Sequence, residues 1–386
     1  MTSADRSLFE MPDDRARDIV YLNTANVGPR LKAVSEAGRA AIDRYASPWL
    51  LGDDDWFAAP ERLRESFARF IGVSADNVAF VPSASYGIAV AARNIPIPAG
   101  GAIVIVEEQY PSNVYAWRRR AAECGGSVRV AERSLEHSLT EALMRLVDAS
   151  TAVVAIPNCH WTDGELIDVL AVAEAARAVG AALVIDASQS LGAMPIDIAA
   201  VKPDFLVSVG YKWLLGPYAL GYLYVDEAWQ GRGVPLEETW LSRRGSEDFS
   251  RLVEYVDEYR AGARRFDFGE FPQFISVAMA TAALSQLERW GASYLAAELS
   301  DRGQQLRATC SNMGLETLAA ERSAPHIVGI RLRESEQTAR LGLALRAAGI
   351  QVSVRGSTIR VAPHLHTDAR DLDRFASGLQ DASVCL

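Results

Sequence analysis

What most narrows the fold of this chain lies between Leu183 and Val225, LVIDASQSLGAMPIDIAAVKPDFLVSVGYKWLLGPYALGYLYV. Two short runs of aliphatic and β-branched residues stop at Asp186 and Ser208, and a turn rich in Gly and Pro then carries Tyr211-Lys212 before a third run, ALGYLYV. Runs this short, apolar on every residue and bounded by turn residues, read as strands buried on both faces. Residues 167–179 precede the first of them with a helical pattern closed by Gly180, and TAVVAIP (151–157) stands before that helix, so strand, helix, strand reads as a βαβ unit. In an open α/β sheet, ligands bind at the carboxyl edge of the strands. One acid (Asp186), one amide (Gln189), two hydroxyls (Ser208, Tyr211) and one lysine (Lys212) are therefore expected along that edge.

The same alternation runs through the rest of the chain. NVAFV (77–81) and AIVIV (102–106) read as further strands, with helices expected at Leu31–Tyr45 and 56–71. The helix that opens after Ser83-Ala84-Ser85 has free N–H groups and a dipole that suit an anion, with Ser85 and the Ala84 and Tyr86 amides as its donors; simple capping by Ser83 or Ser85 is the alternative. The stretch 226–272 is irregular, polar and aromatic, and long loops of this kind are functional or interfacial. Helices from Phe274 lead to strands in HIVGIRL, near 351–354 and at 358–362, and to a final helix from Asp368. At 386 residues the chain exceeds one comfortable core, so a large and a small unit are expected.

Charge narrows the partners. A net charge of −10 disfavours nucleic acid and anionic membrane surfaces, which require a basic face. The amino-terminal residues lack the apolar core of a signal peptide, and no uncharged run is long enough to span a bilayer. Cys124, Cys159, Cys310 and Cys385 are scattered, without the spacing of a metal site, which suits a reducing compartment. A cytoplasmic protein without a metal is the expectation.

An acid and a lysine at adjacent strand ends suit pyridoxal 5'-phosphate. Its pyridinium nitrogen needs a buried carboxylate to stay protonated, and Asp186 is the candidate. Its aldehyde needs a lysine kept unprotonated by its surroundings, and Lys212 is the candidate. An aromatic ring at a strand end covers such a cofactor by offset stacking, and Tyr110, after AIVIV, is placed for it.

The segment Asp186-x-x-Gln189-x-x-Gly192, followed by Ser208, Tyr211-Lys212 and Gly216-Pro217, resembles the signature of the class-V aminotransferase family of fold-type-I pyridoxal-phosphate enzymes. The family includes cysteine desulfurases, selenocysteine lyases, kynureninases and isopenicillin N epimerase-like proteins. The resemblance implies an α/β large domain with a mainly parallel, seven-stranded-type sheet flanked by helices, plus a smaller α+β C-terminal domain. It divides the chain into an N-terminal segment 1–30 that contributes to the active site, a cofactor-binding domain 31–272, and connector helices with the small domain 273–386. It assigns Lys212 the catalytic role and cofactor contacts to Lys212, Asp186, Gln189, Ala84, Ser85, Tyr110, Ser208 and Tyr211. Arg360 is implied as the holder of the substrate carboxylate, with Arg355 as runner-up, and Asn23 as a further substrate contact; Asn23 and Asn26 otherwise read as ordinary turn residues. The family active site lies at a dimer interface, so a homodimer is implied.

Departures from the family pattern bear on the reaction. Tyr110 stands where desulfurases carry His, and no Cys lies between Ile350 and Pro363, where desulfurases carry their reactive thiol. Trp161 stands at the position of a cofactor-contacting Asn, and Glu270 at that of a Thr that reaches the partner's phosphate, with Gln273 as a replacement. Cys159 reads either as a reactive thiol or as a small hydrophobe, and His160 as an acid/base or a satisfied loop residue. The expected function is an enzyme acting on an amino acid or its conjugate, with C–S cleavage by β-elimination favoured over epimerisation and transamination. Outside enzymes, the alternative is a cofactor-binding homologue without catalysis.

Overall fold

The computed structural model describes residues 3–10, 19–134 and 136–383; Cys385 lies outside them. Strand β1 (Val20–Tyr21) belongs to the C-terminal unit. The central sheet is built from β2 (Val78–Val81), β3 (Ala102–Val106), β4 (Ser127–Ala131), β5 (Thr151–Pro157), β6 (Ala182–Asp186), β7 (Phe205–Val209) and β8 (Gly221–Val225), in the order β2-β8-β7-β6-β5-β3-β4. All neighbours are parallel except β8, which runs antiparallel to both β2 and β7. The α/β class and the seven-stranded, mostly parallel sheet are as expected.

The reason for the apolar runs is visible in the packing. Side chains of one strand alternate between faces, and Val104 and Val106 enter one apolar cluster while Ile103 and Ile105 enter another. Val154 and Ile156 divide from Val153 and Ala155 in the same way. A sheet covered by helices on both faces needs apolar residues at every position. The reversal at β8 has a local cause. Parallel neighbours need a long crossover, whereas residues 210–220 return the chain directly beside β7. Lys212 therefore sits in a tight return loop.

The C-terminal unit is an antiparallel sheet of β9 (Glu316–Thr317), β10 (Val328–Arg331), β12 (Ser353–Arg355) and β13 (Thr358–Val361) in the order β12-β13-β10-β9, while β11 (Ile350–Gln351) pairs parallel with β1. The N-terminal segment thus joins the C-terminal unit, with Val20 and Leu22 in its core. Helix Phe274–Trp290 packs Val277, Ala280, Leu284 and Leu287 into the cluster of the central sheet, and Leu306 and Cys310 of the following helix, Ala292–Asn312, pack into the small one. The helix expected at 56–71 begins as a single π-helical turn, Asp54–Ala58, and becomes α-helical over Ala59–Ile71; Pro60 has no N–H for a regular ladder there. Within 226–272, short 3-10 turns at Trp240–Ser242 and Phe249–Arg251 pack their rings on Trp56 and Phe57.

A fully buried ion pair ties two distant segments. Arg64 donates to both carboxylate oxygens of Asp267, at 3.1 and 2.8 Å, Asp267 also accepts from the Phe80 N–H at 2.7 Å, and the guanidinium lies 4.4 Å from the Phe80 ring centroid. Among the described residues no helix is long and apolar enough to cross a membrane, and no cluster of His, Cys, Asp or Glu is placed to hold a metal.

Three buried histidines fill the seam between the units. His326 lies edge-on to Trp213 with ring centroids 4.4 Å apart, and His364 and His366 both pack on Phe9. Burial pushes His326 and His366 down to about 4, as it does His160, and holds His364 well below the ordinary range. All four are neutral in the fold and take up a proton on unfolding below about pH 6.5. Their contribution is therefore fully present above that pH and lost as pH falls from about 6.5 toward 4. Each is expected to cost about 1.4 kcal/mol per pH unit within that window. Urea midpoints measured from pH 7 to 4.5 check this, and a flat profile would refute it.

Candidate active site

The carboxyl ends of β2, β3, β5, β6 and β7 converge on a cavity of about 200 Å³. Its lining takes Pro82, Ser83, Ala84 and Ser85 after β2, Gln109 and Tyr110 after β3, Cys159 and Trp161 after β5, Asp186, Ser188 and Gln189 from β6, and Val209, Tyr211, Lys212 and Tyr218 around the return loop.

The return loop is held by close backbone approach. Gly28 N–H donates to the Tyr211 carbonyl at 2.8 Å, and a Cβ on Gly28 would stand 2.1 Å from the Lys212 carbonyl oxygen. On the other side Gly192, at φ +101°, lets the Trp213 carbonyl within 2.2 Å of where its Cβ would be. Any side chain at either place would push the loop away. Leu215 and Ala219 hold positive φ angles of +55° and +61°, a local strain that the surrounding contacts sustain.

Lys212 is 6% exposed and its Nζ makes no hydrogen bond or ion pair among the described residues; it lies 5.3 Å from the Tyr110 ring centroid and 5.9 Å from that of Tyr211. Burial drives its amine down to about 8, against the opposing pull of Asp186 and with help from Arg360. A buried amine without a partner is costly. Linkage to an aldehyde supplies what the protein does not.

Asp186 ends β6, buried, and accepts the Ser188 N–H at 3.0 Å through one oxygen. The helix Ala84–Asn94 points its amino end into the cavity; Ser83 caps it through the Tyr86 N–H at 3.1 Å, and the Ser83 and Ser85 hydroxyls lie 3.0 Å apart. Ser83 is thus the cap, and Ser85 lies beside it at the amino end of the helix. Tyr110 and Trp161 form an edge-to-face pair with centroids 5.4 Å apart, and the Trp161 indole donates to the Glu108 carbonyl at 2.7 Å. An amine, a buried acid, a helix amino terminus and an aromatic wall around one cavity form a donor set that fits pyridoxal phosphate.

Some residues are placed differently from expectation. Ser208 does not line the cavity: strand alternation turns it to the face opposite Val209, and its hydroxyl lies 3.5 Å from the Val209 carbonyl oxygen. Ser188 lines the cavity instead and accepts the Val209 N–H at 3.3 Å. Its signal was its position two residues past Asp186. Gln189 lines the cavity, but its side chain donates to the Ala25 carbonyl and accepts from the Trp213 indole, each at 3.0 Å, so it also clamps the N-terminal segment to the return loop. Tyr211 lies beside Lys212 and packs on Tyr218, a further cavity-lining residue, with centroids 4.6 Å apart. Cys159 is buried, and burial pushes its thiol up to about 12; His160 engages Thr162 and the Glu107 carbonyl with its two ring nitrogens. Glu270 is exposed, in a left-handed turn at φ +61°.

Arg360, on β13, is fully buried. It donates to the Trp161 carbonyl at 2.7 Å, and its Nε has no partner. Asn23 accepts the Ser353 hydroxyl at 2.7 Å, and Ser353 in turn faces Arg360 at 3.5 Å. Arg355, on β12, lies 5.4 Å from the Trp161 ring centroid.

Comparison with known proteins gives the family. The profile of the family described as Aminotransferase class-V matches residues 54–375. An uncharacterized aminotransferase of Bacillus subtilis, YcbU, is 29% identical over 345 residues, 88% of this chain and 89% of that protein. Isopenicillin N epimerase of Streptomyces clavuligerus is 24% identical over 377 residues, 94% of each chain. A structure of a C-DES mutant with glycine covalently linked to its pyridoxal-phosphate cofactor superposes with a TM-score of 0.86 at 18% identity, covering 96% of this chain and 99% of that one. The complex of the cystine C–S lyase C-DES with cysteine persulfide gives a TM-score of 0.84 at 18% identity, covering 94% and 97%. With the profile spanning most of its length, the chain belongs to the class-V aminotransferase family of fold-type-I pyridoxal-phosphate enzymes.

Proposed function

We propose that the protein is a pyridoxal-phosphate lyase that cleaves a C–S bond in an amino acid conjugate by β-elimination, releasing a thiol, pyruvate and ammonia. The observation that carries this reading is the unpartnered Lys212 amine, the one amine lining the cavity. When bound, pyridoxal phosphate supplies an electron sink that makes a Cα–H bond acidic. Lys212 would hold the cofactor aldehyde, Asp186 would face its ring nitrogen, and Ala84 and Ser85 would receive its phosphate at the helix end. Tyr110 would cover the ring and exclude water. Arg360 offers its guanidinium to the substrate carboxylate, the geometry for which a planar fork is suited.

Once the substrate amine has displaced it from the aldehyde, Lys212 would take the Cα proton, the Cα–Cβ double bond would form as the Cβ–S electron pair leaves with sulfur, and the same amine would return a proton to the thiolate; water would then convert the remaining three-carbon unit to pyruvate and ammonia. Inversion of a stereocentre calls for a second base on the opposite face; no imidazole lines the cavity among the described residues, and His160, between Cys159 and Trp161, has both nitrogens engaged elsewhere. A route through an enzyme persulfide calls for a thiolate. No Cys lies in 350–363, and the Cys159 thiol is held protonated by burial. These features support elimination over both alternatives.

Loaded protein offered S-alkylcysteines, cystine and ordinary amino acids is expected to yield pyruvate and thiol from the sulfur compounds alone. Stereoinversion without thiol release would make it an epimerase, and keto acid formed only with an acceptor would make it an aminotransferase. Cofactor capture gives a separate check. Because the Lys212 amine is unprotonated above about 8, the rate at which cofactor-free protein captures pyridoxal phosphate should rise with pH and level off past that value. A rate still climbing at pH 10 would contradict the buried amine.

The protein acts as a homodimer in this reading. Trp49 at 79% and Tyr255 at 95% exposure, with Ile42, Leu50 and Val253, are exposed apolar side chains that a second copy would cover. Light scattering should give twice the chain mass.

A further inference from the structure

Most arginines around the site are paired. Arg133 and Arg331 both engage the buried Asp163, and Arg322 engages the buried Glu165. Arg360 and Arg355 break this pattern. Among the described residues neither has a carboxylate within 4 Å, and the Nε of each has no hydrogen-bond partner. Arg355 bonds only to the carbonyl of its neighbour Val354, at 2.7 Å.

The hairpin register sets the two side by side. Ser353 pairs with Arg360 and Arg355 with Thr358, so all four side chains share one face of the β12–β13 hairpin. That face meets Trp161: its carbonyl receives Arg360 and its ring lies under Arg355. Trp161 and its partner Tyr110 line the cavity, and the charges of both arginines are felt at Lys212. Two like charges here, on a face with no acid of its own, await anions. Glu107, Glu108 and Glu316 line the same cleft as Arg355; the first two are engaged by the Arg133 backbone and guanidinium, each at 2.7 Å.

We infer that Arg355 is a subsite for a second anionic group, a carboxylate at the far end of the substrate side chain, while Arg360 takes the α-carboxylate. The substrate class is then a cysteine conjugate whose leaving thiol carries an acid, a claim that builds on the lyase reading. Burial, which already lowers both guanidiniums, strengthens each charged hydrogen bond that such a ligand makes.

The test separates the subsite from the reaction. The probes are 3-(carboxymethylthio)propanoate and its monoamide 3-(carbamoylmethylthio)propanoate, which lack an amine and cannot react. Titrated calorimetrically into the cofactor-loaded enzyme, the diacid should bind about tenfold or more tightly than the amide. Arg355→Gln should bring the two within about threefold, and Arg360→Gln should weaken both alike. Melting curves of the variants establish that they fold. Equal affinities in the wild type, or a preference that survives Arg355→Gln, overturn the subsite. S-carboxymethylcysteine and S-carbamoylmethylcysteine, tested for thiol release, address the reaction: if neither is cleaved while the diacid preference stands, C–S cleavage is lost and the acid subsite is kept.

Discussion

Lys212→Ala is expected to abolish turnover, by at least about 10³-fold, while the protein remains folded. The amine is asked to do two things, to hold the cofactor aldehyde and to move the proton at Cα, and loss of a positioned base alone costs about 10²–10⁴ in rate. Its Nζ makes no hydrogen bond among the described residues, so removing it breaks no polar contact beyond the approach of Nζ to the Tyr110 and Tyr211 rings. Borohydride should fix the cofactor to the wild-type chain and not to the variant, and methylamine should restore part of the rate. A variant retaining a tenth of wild-type turnover would exclude Lys212 as the base.

The largest expected loss of stability belongs to Asp267→Ala. Asp267 and Arg64 are both fully solvent-excluded, and the guanidinium sits between the aspartate and the Phe80 ring. Removing Asp267 leaves the buried guanidinium only the partly exposed Glu61, at 3.3 Å, as an acid partner and orphans the Phe80 N–H, a loss of about 3–5 kcal/mol. The double variant Arg64→Met with Asp267→Leu should recover much of it, because the pair's desolvation cost goes with the charges. Chemical denaturation of the three proteins checks both statements. A loss under about 1 kcal/mol in the single variant would mean that water reaches the pair. Through its bonds to Arg64 and the Phe80 N–H, Asp267 pins the end of the long irregular segment beside β2, at the edge of the sheet.

How much of the site is legible without coordinates depends on how local each feature is. Asp186, Lys212, Tyr110 and the Ser83–Ser85 turn all follow apolar strands, and strand ends of a parallel sheet collect on one edge whatever the details of packing. They could be found from runs of residues alone. Ser208 misled because the face of a strand residue depends on register, and a shift of one residue turns every side chain over. Ser188, two residues beyond Asp186, took the place expected of it. The direction of β8, the docking of Gly28 on the Lys212 carbonyl and the clamp of Gln189 on Ala25 join segments far apart in the chain, for which no local pattern exists.

The sequence by itself determined the class of the protein: an alternating α/β chain, an acid and a lysine at neighbouring strand ends, a cofactor chemistry that needs both, and the absence of a cysteine where a persulfide route would require one. Only the tertiary structure decided how those groups behave. Lys212 has an amine near 8 because burial outweighs the pull of Asp186, Cys159 is held protonated because the same burial opposes its thiolate, and Arg355 and Arg360 have no carboxylate within 4 Å among the described residues, whereas Arg133 and Arg322 are paired with buried acids. A residue's identity is written in the chain, but its charge state and its free valence depend on desolvation and on neighbours that the fold brings from elsewhere.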